Sequence, residues 1–312
     1  MLVYLRRSYP LMCGLIVYIY VYILILHGKP ALKNSNRIMY LVRTSAKLYE
    51  QRLIHLLETW IEQVSDDTYF VSDLILPKIN RHHQLLTQKT CGTDKHTLPS
   101  LCCKTAHEFL FYNHLFDKYD WFCHFDDDQY VNVNNLNHYL SKFDTRKAFY
   151  IGRNSWPNQL KRSKEPYPHA FWFATLGAGV CLSKRVIVLL RPYTLQPTEF
   201  VDGCRRENYH DDIYVGFLIN AYLNTSLTKS NLFHSHLEKF FYQDEKKFQQ
   251  IFKQQITFGF RRPDRYPNFL PDLFPHSSDP YRMQTLHCLL HSHLRKCKHR
   301  YQPYFFNKTS NE

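Results

Sequence analysis

The sequence predicts an α/β domain with a mostly parallel central sheet, set behind an N-terminal transmembrane helix. Strand-like and helix-like apolar segments alternate from Ile38 to Phe143, and an uncharged apolar run precedes them. The 312 residues are 44% hydrophobic and 16% aromatic, which is enough to build a packed core and excludes disorder. A net charge of +13 is compatible with nucleic acid, an anionic membrane or an anionic substrate, and composition does not choose among them.

From Ser8 to Gly28 there is no Asp, Glu, Lys or Arg, and Leu11 to Leu26 is almost wholly apolar. As a helix this stretch would extend roughly 31 Å, the thickness of a bilayer's hydrocarbon core, whereas a strand rarely exceeds about ten residues. The expected organisation is a cytoplasmic tail at 1–10, a signal anchor at 11–28, a short stem at 29–36, a catalytic-sized domain at 37–300 and a tail at 301–312. Basic residues flank the span on both sides, so charge does not orient it. Nine cysteines without a C-x-x-C pair, together with sequons at Asn224 and Asn307, fit an oxidising lumen. A luminal, membrane-anchored domain meets no nucleic acid.

Within the domain, Ile38 to Val42 reads as a strand. Leu53, Leu57, Trp60, Ile61 and Val64 recur at helical spacing, and Thr68 to Val71 is a second strand. Thr105 to Lys118 reads as a helix, Trp121 to Phe125 as a strand and Asn132 to Phe143 as another helix. In such sheets ligands bind beyond the carboxyl ends of the strands.

Asp126-Asp127-Asp128 stands at that position after the Trp121 strand. Consecutive carboxylates offer hard oxygen ligands to Mn²⁺ or Mg²⁺, and a divalent ion can offset a diphosphate's charge where neither common glycine-built phosphate motif occurs. The same acids also fit a solvated turn. Downstream, an extended His234-Ser235-His236 would place both imidazoles on one side, one toward a metal and the other toward a phosphate or the backbone. His210-Asp211-Asp212 opens an apparent helix, where capping and the helix dipole favour acids without any catalytic role.

These segments resemble the fringe glycosyltransferases. The resemblance is carried by Trp121 to Asn132, Phe171 to Gly179, Phe200-Val201-Asp202, Leu232 to Glu238 and Leu286 to Leu290, in the family's order, and it runs from about Arg37 to Cys297. It implies a GT-A type nucleotide-sugar-binding fold and a manganese-dependent, inverting O-fucosylpeptide 3-β-N-acetylglucosaminyltransferase. The implied donor is UDP-N-acetylglucosamine. The implied acceptor is O-linked fucose on EGF-like repeats of Notch-type receptors, and the implied setting is a single-pass type II protein of the Golgi membrane.

Carried over by position, Asp128 and His236 would hold Mn²⁺, Asp127 would touch the donor and Asp212 would be the catalytic base. Arg43 and Thr44 match a Lys-Thr segment that contacts the nucleotide. Leu176 stands where the family has glycine, and Asn208-Tyr209-His210 replaces its Leu-Pro-rich approach to the acid. The resemblance also implies disulfides Cys123–Cys181, Cys288–Cys297 and Cys91–Cys103. Cys102 is a rival partner for Cys91, and Cys204 has no evident partner. A related β1,3-galactosyltransferase and a catalytically inactive luminal glycan-binding protein are the alternative readings.

Overall fold

A computed structural model describes residues 37–92, 97–164, 169–237, 251–260 and 271–298. The tail, anchor and stem expected at 1–36 and the tail at 301–312 lie outside the described residues. Among the described residues, no helix is long and apolar enough to cross a membrane.

In chain order the strands are β1 (Ile38–Arg43), β2 (Thr68–Ser72), β3 (Gln84–Leu86), β4 (Trp121–Asp126), β5 (Gln129–Val131), β6 (Tyr150–Gly152), β7 (Leu160–Arg162), β8 (His169–Phe171), β9 (Val180–Ser183), β10 (Leu227–Lys229) and β11 (Thr257–Gly259). Seven of them form the central sheet in the order β10-β6-β9-β4-β1-β2-β3. All neighbours are parallel except that β9 runs antiparallel to both β4 and β6. Among the described residues, the helices of eight residues or more are α1 (Leu98–Leu115), α2 (Val133–Leu140), α3 (Lys184–Thr194), α4 (Pro197–Glu207), α5 (Asp211–Leu223) and α6 (Met283–Leu290).

Alternation along β1 explains the layering. Tyr40 and Val42 face one core with Trp60, Phe125 and Leu286, while Met39 and Leu41 face the other with Phe109, Phe122 and Leu218. With both faces covered, β1 reads as a continuous apolar run rather than an alternating one.

The predicted β1, β2 and β4 each extend one residue further than the apolar run. The helix expected from Thr105 begins earlier, at Leu98, where Pro99 fits the first turn because its missing N–H is not needed there. The helix from Asn132 is α2, with the Asn132 side chain accepting from the Asn135 N–H. The helical spacing from Leu53 is corrected. A π turn at Tyr49–Leu53, an α turn at Ile54–Leu57 and a 3-10 turn at Ile61–Gln63 replace one helix. The Thr59 hydroxyl donates back to the His55 carbonyl at 2.7 Å, a bond that bends helices, and Trp60 swings inward to donate from Nε1 to the Gln129 carbonyl at 3.0 Å.

Four disulfides stand in the described residues: Cys91–Cys103, Cys102–Cys204, Cys123–Cys181 and Cys288–Cys297. Three match the expected pairs. The fourth corrects the expectation for Cys102 and Cys204, because α1 and α4 lie side by side and bring the two together. Non-reducing peptide mapping should recover a Cys102–Cys204 peptide. Closing a loop of 102 residues is expected to stabilise the fold by about 4–5 kcal/mol, so a free thiol at both positions would contradict this arrangement.

Candidate active site

β1 and β4 end side by side, with Arg43 in register with Asp126. The chain then turns through Asp127 and Asp128 into β5, which pairs with β11 in a two-stranded ribbon. This turn is tied down at three points. The Asp126 N–H donates to Gln129 Oε1 at 2.9 Å, Trp60 holds the Gln129 carbonyl, and the Phe260 N–H donates to the Asp128 carbonyl at 2.9 Å.

The three acids occupy different surroundings. Asp126 accepts from Arg43 Nε at 3.4 Å and lies 3.3 Å from His124 Nε2. Burial opposes its ionisation, but Arg43 and His124 together hold its carboxyl well below the usual range. Asp127 accepts from the Thr44 hydroxyl at 2.7 Å and Arg52 Nη1 at 3.0 Å. Burial and the neighbouring Asp128 nevertheless push it up to about 6. Asp128 is only 5% exposed. Its Oδ2 is 3.5 Å from Arg52 Nη1 and 3.3 Å from His236 Nδ1, while its Oδ1 is buried with no hydrogen-bond partner among the described residues.

The two histidines of the Leu232 segment separate. The segment forms turns rather than a strand, so the expected same-side placement is not seen. His234 is buried, with Nε2 2.7 Å from Gln255 Oε1 and its N–H donating to the Thr257 hydroxyl. His236 stands beside Asp128. Gly259 on β11 makes this possible, since a Cβ there would lie 2.2 Å from the His236 nitrogen.

α5 brings the second acidic pair to the same place. Asp211 is buried and accepts from Arg43 Nη1 at 2.7 Å and the Thr105 hydroxyl at 2.9 Å. Asp212 accepts the Ile213 N–H at 2.8 Å. Burial and then the charge of Asp211 push its carboxyl up to about 7. Arg43, Asp126, Asp211, Asp212 and His236 all line one cleft of about 330 Å³.

Sequence reasoning missed Arg52 and Thr105, which bind Asp127 and Asp211, and a buried pair behind Arg43. His124 Nδ1 is 2.8 Å from Glu108 Oε2, and Glu108 Oε1 is 3.9 Å from Arg43 Nη1. Burial disfavours the imidazolium, yet Glu108 and Asp126 raise His124 to about 9, so it is charged at neutral pH. Arg43 and His124 thereby offset part of the charge of Asp126, Glu108 and Asp211. The available signal for that pair was a lone Glu in the apolar middle of α1 and a lone His in an apolar strand, each needing a buried partner.

Two departures from the family pattern have local explanations. Leu176 is buried in a 3-10 turn and is not among the positive-φ residues, so its backbone does not require glycine. Asn208 closes α4 in the left-handed region at φ 55°, which Asn tolerates.

The residues present fit a hard divalent ion. An orphaned buried carboxylate oxygen on Asp128 beside the His236 imidazole supplies mixed oxygen and nitrogen ligands. Cys91, Cys103 and His107 also cluster within 4.8 Å, but both sulfurs are committed to a disulfide and offer no thiolate.

Residues 33–294 match the sequence profile of the Fringe family, described as Fringe-like, and the chain belongs to that family. It is 31% identical over 268 residues to the β1,3-N-acetylglucosaminyltransferase radical fringe of Notophthalmus viridescens, covering 82% of this chain and 65% of that protein. It is 32% identical over 261 residues to lunatic fringe of Gallus gallus, covering 80% and 69% respectively. With manic fringe of Homo sapiens the figures are 31% over 274 residues, 85% and 82%. The chain thus spans about two thirds of the length of the first two relatives. A solved glycosyltransferase involved in the glycosylation of the major capsid of PBCV-1 aligns with 72% of this chain and 94% of its own at 12% identity and a TM-score of 0.37.

Proposed function

We propose that the chain is a fringe-type, inverting β1,3-N-acetylglucosaminyltransferase of GT-A type. It transfers N-acetylglucosamine from UDP-N-acetylglucosamine to O-linked fucose on EGF-like repeats such as those of Notch receptors. The observation that carries this reading is the convergence of Asp128, His236 and Asp212 on the ends of β4 and α5, in a chain about 30% identical to proteins named for that activity. The four disulfides support an oxidising compartment, in keeping with a type II protein of the Golgi membrane with a luminal domain.

Asp212 takes the proton from the fucose 3-hydroxyl as that oxygen attacks the anomeric carbon of the donor. A carboxyl poised near 7 suits this role, since it accepts a proton readily yet is substantially ionised at neutral pH. Asp211, bound by Arg43 and Thr105, fixes the start of α5, and its negative charge adds to the burial that makes Asp212 basic. Asp127, held by Thr44 and Arg52, lies beside the donor, and Arg52 contributes positive charge on the diphosphate side. Asp128 and His236 would hold Mn²⁺, which when bound supplies Lewis-acid charge for the departing diphosphate. No protein nucleophile takes part, so a single displacement inverts an α-linked donor to a β product.

Titration calorimetry should show UDP binding strengthened by Mn²⁺ in the wild type. Asp128→Asn and His236→Ala should each remove that enhancement. Equal UDP affinity with and without metal in the wild type would contradict the metal site.

A further inference from the structure

We infer that Trp156 is the acceptor platform of this site, an indole that stacks on the apolar face of the pyranose whose hydroxyl Asp212 deprotonates. The inference rests on the transferase reading above and assigns within it a residue that binds the acceptor sugar. Trp156 lines the same cleft as Asp212 and is 46% exposed. The other three tryptophans are unavailable: Trp60 and Trp121 are fully buried, and the Trp172 ring is covered by the Lys229 ammonium 3.2 Å from its centroid. A large apolar ring left open to water in the cleft that holds Asp126, Asp211 and Asp212 is the kind of surface a ligand covers.

Its position is fixed by the backbone and by one glycine. The Ser155 N–H donates to the Phe173 carbonyl at 3.1 Å, and the Thr175 N–H to the Arg153 carbonyl at 3.0 Å. Asn154 Nδ2 then donates to the Trp156 carbonyl at 2.7 Å. The indole meets the buried Phe173 ring edge-on, with centroids 5.4 Å apart and planes at 75°. Phe173 in turn rests on Gly216 of α5, where a Cβ would lie 2.4 Å from the Phe173 Cβ. Gly216 is about one helical turn beyond Asp212, so the same helix locates the base and, through Phe173, the platform.

The chemistry matches a sugar. A pyranose ring has a face of polarised C–H bonds that suits the negative face of an indole, while its hydroxyls project from the edge. Stacking would fix the plane of the ring and leave an edge hydroxyl aimed at the carboxylate, with Ser155 and His210 at the cleft wall for the others. The link to α5 rather than to the metal-binding turn places this platform on the acceptor side.

The test uses the full chain with UDP-N-acetylglucosamine, Mn²⁺ and an O-fucosylated EGF repeat, and compares wild type with Trp156→Ala, Trp156→Leu and Trp156→Tyr. Ala and Leu should raise the acceptor KM on the order of 10-fold while leaving the donor KM unchanged, and Tyr should restore most of the affinity. An unchanged acceptor KM in Ala and Leu, or a rise confined to the donor KM, would overturn the assignment. A second readout does not need turnover. The indole N–H resonance that disappears in Trp156→Phe should shift when methyl α-fucoside is titrated with UDP and Mn²⁺ present, and no shift would overturn the platform. Failure of the transferase reading shows instead as a shifted indole resonance without transfer by the wild type.

Discussion

Asp212→Asn should fold, bind UDP-N-acetylglucosamine and Mn²⁺ as the wild type does, and lose kcat by on the order of 10²-fold or more. The substitution keeps the side chain's shape and its acceptor oxygen for the Ile213 N–H, removing only the capacity to take a proton. The wild-type pH profile has a sign fixed by the same group. A carboxyl pushed up to about 7 is ionised above that pH and neutral below it, so kcat should rise with pH through about 7. In Asp212→Asn that limb should flatten. Near-normal turnover in the variant would remove Asp212 as the base. Asp211→Asn differs in kind, because Asp211 is engaged by Arg43 and Thr105: its loss should lower stability and move the Asp212 limb to lower pH, with a milder effect on kcat than Asp212→Asn.

Arg43→Gln should destabilise the fold by about 3–5 kcal/mol, the range for stripping the partner from buried charge. Arg43 is only 11% exposed and reaches Asp211, Asp126 and Glu108 together, leaving His124 alone to balance three carboxylates when it is removed. Arg43→Lys should recover part of the loss, since one ammonium cannot reproduce the guanidinium fork. Acid dependence provides a second check. Asp126 and Asp211 are held below their usual range, so their contribution is present above about pH 4 and is lost as the pH falls through the lowered values. Urea unfolding between pH 3 and 7 should show that dependence shrink in Arg43→Gln. A loss below about 1 kcal/mol would mean that the acids find other partners.

The central strands were legible because burial on both faces leaves an unbroken apolar signature, and β1, β2 and β4 lie where their residues indicate. The acidic turn was legible for the same reason, since it interrupts that signature at a strand end. The ribbon that holds it was not. β5 and β11 are three residues each, too short for periodicity, and their pairing brings Thr257 to Val131 across a long stretch of chain. The Arg43 network was hidden likewise, as Glu108, His124 and Asp211 lie on separate elements that only the fold brings together. Cys204 lacked a partner in the sequence because the pairing depends on how α1 lies against α4. The split of His234 from His236 follows from Gln255 and Gly259, which no local spacing reveals.

The most direct measurement is transfer by the purified chain from UDP-N-acetylglucosamine to an O-fucosylated EGF repeat in Mn²⁺, with the product's linkage and anomeric configuration read by NMR. The predicted product is β1,3-linked N-acetylglucosamine on fucose, formed by the wild type and nearly absent with Asp212→Asn. An α linkage would contradict the single-displacement mechanism, and no transfer by the folded wild type to this acceptor would contradict the proposed activity.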